Sequence, residues 1–269
     1  MKNKTLTKKT RMNKPKQTTY IKGMVFAALF AALTAAVSPL KIPLGFTPVP
    51  ITLQTLMVLL SGAMLGPYYC ALAMILYILV GALGLPVFAG GGSGIGALLG
   101  PSGGYLFSYF IAAFVVGKML EKKNLTLFTK YFSFVVTLIL IAIVFIDSTL
   151  DVGIMKLWDS SSKSYLPMIS MLSGAQRTAL IALSIIVLIT LLFLVFYLKK
   201  KKMSDIVLAM FAGTLVIYLL GSIQGKIVTG LPWSAIFIGW VLPFIIGDTI
   251  KLFIAAYIAK NADINKYMK

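Results

Sequence analysis

Long apolar runs along this chain alternate with short polar breaks and with stretches rich in proline or glycine. Eight runs reach or approach the roughly 20 residues that a helix needs to cross a bilayer. They lie near 21–38, 51–66, 69–86, 104–120, 129–148, 177–198, 205–226 and 235–260, and the second is short for a full crossing. The pattern predicts an all-α polytopic membrane protein.

Composition agrees. Charged residues make up 12% of the 269 and hydrophobic ones 59%, whereas a soluble domain carries roughly 25% charged residues. A mean hydropathy of +0.95 is more than one water-soluble core of this size requires and excludes a disordered chain. Cys70 is the single cysteine, which rules out a disulfide scaffold, and its mid-span position suits a buried inert thiol. There is no histidine, the commonest general base and transition-metal ligand. The acidic residues outside the last span (Glu121, Asp147, Asp151, Asp159, Asp205, Asp263) sit in loops or at span ends and form no carboxylate pair. Neither an enzyme nor a metal centre is expected.

The net charge of +18 would suit a nucleic-acid partner, but its distribution points to a membrane. Residues 1–22 hold eight basic and no acidic residues directly before the first apolar run. With the N-terminus inside, the cytoplasmic segments hold 19 of the 25 Lys and Arg, and the outer segments hold Lys41, Lys156, Lys163, Arg177 and Lys226. This positive-inside bias predicts both termini in the cytoplasm and an even number of spans.

Exceptions to the apolar pattern carry the functional information. In the first run, Ala27, Ala31 and Ala35 recur every four residues, as do Ala28, Ala32 and Ala36. Each set forms a flat strip that permits close helix approach in lipid, either inside this bundle or against another subunit. Four prolines in Ser38–Pro50 forbid a helix there, and Thr52 and Gln54 follow, where a polar side chain near a span end needs a neighbouring helix or a ligand as partner. The stretch from Gly81 to Tyr105 is dense in glycine but fits no dinucleotide-binding register, and no P-loop occurs in the chain. A wall over an outward-facing pocket suits it better. In the last run Asp248 and Lys251, three apart, share a helix face, and buried charges in a span are costly and functional by default.

At PVPITLQTL (49–57), GLPVFAGG (84–91), GPSGGY (100–105), VIYLLG (216–221) and VLPFIIGDTIK (241–251) the chain resembles BioY, the biotin-specific S-component family of energy-coupling-factor transporters. The resemblance covers about 21–123 and 203–260. It implies a six-helix core (21–123 and 203–269) behind the basic tail (1–20); the segment 124–202 does not match the family and adds two spans, an inserted two-helix hairpin expected on the lipid-facing periphery. The resemblance further implies a multi-pass protein of the cell membrane that captures biotin, needs no cofactor, and works with a transmembrane coupling protein and two cytoplasmic ATPase subunits. Asp248 and Lys251 are then expected at the ureido group, with Thr52, Gln54, Tyr105, Phe46, Phe88, Gly90 and Gly91 completing the pocket. Ser93 and Ser102 are further polar candidates, and Ala27, Ala31 and Ala35 form the expected coupling face. A riboflavin or thiamine S component, or a scaffold subunit without ligand, are the competing expectations.

Overall fold

The computed structural model of the chain describes residues 14–44, 47–121, 156–159, 164–167 and 203–262. The expected spans at 129–148 and 177–198 lie outside them. The described helices are α1 (Lys14–Val37), α2 (Gln54–Leu65), α3 (Pro67–Ala82), the short α4 (Gly94–Leu99), α5 (Gly103–Glu121), α6 (Ser204–Thr229), α7 (Trp233–Trp240) and α8 (Leu242–Asn261). Among the described residues α1, α5 and α6 are long and apolar enough to cross a membrane. The α7–α8 pair makes a fourth crossing if counted as one bent span, with Ala235–Ile245 and Gly247–Asn261 at 41° to one another.

Differences from the expected spans have local causes. Gly66 takes φ +74°, open to glycine at little cost, and Pro67 starts α3 at its first turn, where its missing N–H is harmless. The two runs expected at 51–66 and 69–86 thus meet at Gly66 as two short helices, and α3 stops at Ala82, short of the expected 86, because Gly84 (φ +103°) and Pro86 follow. The last run, expected as one span over 235–260, breaks at Val241, just ahead of Pro243.

Helix α2 is the centre of the bundle. Ten of its twelve residues are buried, as befits a helix apolar on every side, and it contacts α1, α3, α5, α6 and α8. Small residues permit these approaches: Gly62 faces Val116 and the Ala113 carbonyl, and Gly213 faces Leu59 and Val116. In lipid, where apolar surface does not drive association, such packing holds helices together.

Helix α1 packs on α3 and shows which alanine strip points inward. Ala27 (0% exposed) and Ala31 (9%) are buried, in line with Phe30, Thr34 and Ser38. Ala35 is partly buried against the same core. Ala28, Ala32 and Ala36 are exposed. Of the expected coupling face, Ala27 and Ala31 thus pack inside the chain and Ala35 does so in part.

Two hairpins complete the fold. In the proline-rich loop β1 (Lys41–Ile42) pairs antiparallel with β2 (Ile51–Thr52), Lys41 opposite Thr52. In the expected inserted segment β3 (Lys156–Asp159) pairs with β4 (Ser164–Pro167), and β3 lies against α7.

Candidate functional site

A cleft opens where α2, α5, α6 and α8 meet the proline-rich and glycine-rich loops. It is open to solvent, and its empty space with the open mouth included is about 680 Å³. Thr52, Gln54, Thr55, Tyr105, Tyr109, Tyr218, Asp248 and Lys251 supply its polar lining. Val49, Pro50, Phe88, Leu106, Ile217 and Phe244 supply apolar walls.

The charged end is a closed cluster. Asp248 and Lys251 lie one turn apart on α8, both buried, with Lys251 Nζ 2.8 Å from Asp248 Oδ1. Thr55 Oγ1, on α2, donates to the same oxygen at 3.0 Å, and the Tyr218 hydroxyl, on α6, donates to Oδ2 at 2.8 Å. A carboxylate offers about four acceptor positions. These contacts use three, two on Oδ1 and one on Oδ2. Lys251 Nζ also reaches Thr55 Oγ1 at 3.4 Å, which leaves it one donor.

Gln54 anchors the opposite wall. Its Oε1 accepts from Thr52 Oγ1 and from the Tyr109 hydroxyl, each at 3.0 Å. Its Nε2 donates to the Tyr77 hydroxyl (2.6 Å) and to Ser38 Oγ (2.9 Å). Tyr77 in turn donates to the Val87 carbonyl and Ser38 to the Thr34 carbonyl, so both must accept from Gln54 and the amide orientation is fixed. All four hydrogen-bonding positions of this side chain are used inside the protein. Gln54 lines the cleft but positions the walls instead of offering a free polar group.

The glycine-rich stretch has a dual use. Gly103 and Gly104 start α5 where a side chain would meet the Leu98 and Leu220 carbonyls and Gln224, so they set the α5–α6 distance. The Gln224 amide donates to the carbonyls of Leu98 (2.7 Å) and Gly100 (2.9 Å) at the end of α4. The Tyr105 ring fits over Gly221, and its hydroxyl donates to the Trp240 carbonyl. That contact ties α5 to the α7–α8 break.

Of the expected site residues, the cleft brings together Asp248, Lys251, Gln54, Thr52, Tyr105 and Phe88, with Ser102. Phe46 lies outside the described residues. Gly90 and Gly91 do not line the cleft, and neither does Ser93: the loop presents Ala89 and Gly92 instead. At Gly90 (φ +67°) the chain turns, and its Cβ position faces Lys41. Thr55, Tyr109 and Tyr218 were not among the expected residues. Tyr109 is four residues from Tyr105 and so on the same helix face. Tyr218 is the tyrosine of VIYLLG, one of the stretches that carry the resemblance.

Comparison with known proteins agrees with this architecture. The model of the BioY family matches residues 7–191 and 180–267. The biotin transporter BioY of Thermotoga maritima is 48% identical over 101 residues, 38% of this chain and 59% of that protein. Its counterpart from Lactococcus lactis subsp. cremoris is 33% identical over 128 residues, 47% of this chain and 68% of that protein. The matched stretches thus span only about three fifths to two thirds of these relatives. A crystal structure of the S-component for biotin from an ECF-type ABC transporter shares the fold, with a TM-score of 0.55 at 20% identity over 90% of each chain. With the family model matching most of its length and the cleft assembled from the motifs that suggested it, the chain belongs to the BioY family.

Proposed function

We propose that this chain captures biotin at the outer face of the cell membrane as the substrate-binding subunit of an energy-coupling-factor transporter. The observation that carries the reading is the buried Asp248 carboxylate in the cleft lining, held by Lys251, Thr55 and Tyr218, which leave one of its acceptor positions untaken. A ureido group brings N–H donors and a carbonyl acceptor. Asp248 Oδ2 accepts an N–H, and the spare donor of Lys251 serves the carbonyl. Phe88, Phe244 and Ile217 receive the thioether ring and the aliphatic chain. The relatives named biotin transporters support the same ligand.

In this reading the chain crosses the membrane eight times with both termini in the cytoplasm, as the charge bias indicates. ATP hydrolysis falls to separate subunits, since this chain has no P-loop. The exposed strip Ala28, Ala32 and Ala36 meets the coupling protein. Titration calorimetry of the purified chain with biotin, riboflavin and thiamine is expected to show saturable binding of biotin alone. Binding of another vitamin in its place rejects the assignment.

The segment 124–202 is peripheral to this function. None of the described residues lining the cleft falls within it. Joining Lys123 to Met203 through a short Gly/Ser linker is expected to preserve biotin affinity. Because β3 rests on α7, the shortened protein should melt at a lower temperature. Calorimetry and a thermal melt check the two halves of this expectation, and a folded but non-binding deletion would place part of the pocket in the insert.

A further inference from the structure

We propose that Lys41 is the anion-binding end of the cleft and takes the carboxylate of the ligand, an inference that rests on the biotin reading above. Lys41 stands directly opposite Thr52 in the β1–β2 pair, and opposed residues of an antiparallel pair project from the same face. Thr52 lines the cleft, so Lys41 leaves the backbone on the cleft's side. Its side chain then runs over Gly90, where an added Cβ would meet Lys41 Cδ, Cε and Nζ. Ala89 and Gly92, which flank this turn, are part of the cleft wall. The Gly90 N–H donates to the Ser38 carbonyl at 3.2 Å, which fixes the glycine turn beside the strand that carries Lys41. Lys41 is not itself among the residues that line the cleft; its ammonium lies against Gly90, the chain neighbour of the lining residue Ala89.

Charge accounting supplies the second argument. At the inner end Lys251 is already neutralised by Asp248, so a ligand carboxylate placed there would face a carboxylate. Lys226 is engaged elsewhere: it lies 5.5 Å from the centre of the Trp233 ring and donates to the Leu231 carbonyl at 3.1 Å. Lys41 is exposed and has no hydrogen-bond or ion-pair partner among the described residues. A ligand with N–H donors at one end and a carboxylate on a flexible chain at the other is thus oriented by charge: donors inward to Asp248, carboxylate outward to Lys41.

The test compares biotin with biotinamide, its neutral analogue of nearly the same size, on the full chain and on Lys41→Met. Wild type is expected to bind biotin more tightly than biotinamide by roughly threefold to tenfold, the scale of a partly exposed charge-assisted contact. Lys41→Met should lose that preference while its biotinamide affinity stays at the wild-type value. The proposal is overturned if Lys41→Met keeps the preference, if it weakens both ligands equally, or if wild type shows no preference. A wild-type chain that binds neither compound overturns the biotin reading itself and this one with it, so the two failures are told apart.

Discussion

Asp248→Ala is expected to lower biotin affinity by about tenfold to a hundredfold. A hydrogen bond to a charged group contributes roughly 1.5–3 kcal/mol, and about 1.4 kcal/mol corresponds to a factor of ten in affinity. The substitution also leaves the buried Lys251 ammonium without its partner at 2.8 Å, and breaking one side of a buried pair costs roughly 3–5 kcal/mol. The single variant therefore combines lost recognition with lost stability. Asp248→Ala combined with Lys251→Met removes both charges and should recover most of the melting temperature while leaving affinity low. Biotin affinity near the wild-type value in a folded Asp248→Ala protein would falsify the assignment of this carboxylate.

The two alanine strips of α1 should respond in opposite ways to enlargement. Ala28 and Ala32 are exposed; replacing both with Leu is expected to leave biotin binding intact while co-purification with the coupling subunit and biotin uptake fall steeply. Ala27 and Ala31 are buried on a helix that packs on α3 and α2, and overpacking a filled core costs roughly 1–3 kcal/mol. Ala27→Leu with Ala31→Leu should thus lower the melting temperature before it touches coupling. Unimpaired uptake by the Ala28→Leu, Ala32→Leu protein would show that the coupling subunit docks elsewhere.

The sequence revealed the charged end of the site more readily than its walls. Asp248 and Lys251 stand out because ionised residues are rare inside a span and a three-residue spacing puts them on one face. Tyr109 and Tyr218 are less conspicuous, since tyrosine in an apolar run passes for packing until the group its hydroxyl reaches is known. The glycine-rich stretch shows where the backbone turns and approaches closely, but not which side of the turn meets the cleft. Hence Gly90 and Gly91 were expected where Ala89 and Gly92 stand. The alanine strips are alike in composition, and only their neighbours separate them: Phe30, Thr34 and Ser38, at four-residue spacing, accompany the inward strip. The break at Val241 had a visible signal in Pro243, which the length of the apolar run outweighed.

The saturated amide of Gln54 makes the cleft selective by refusal. A ligand with an additional hydroxyl or amide at that depth finds every position of Gln54 taken by Thr52, Tyr109, Tyr77 and Ser38. The newcomer must either displace one of those bonds or remain unpaired, and an unpaired buried polar group costs roughly 1–3 kcal/mol. A less polar analogue meets no such penalty and loses only the contacts it fails to make. Analogues should therefore be excluded in proportion to the polar groups they add beside Gln54, a discrimination built into the unliganded wall.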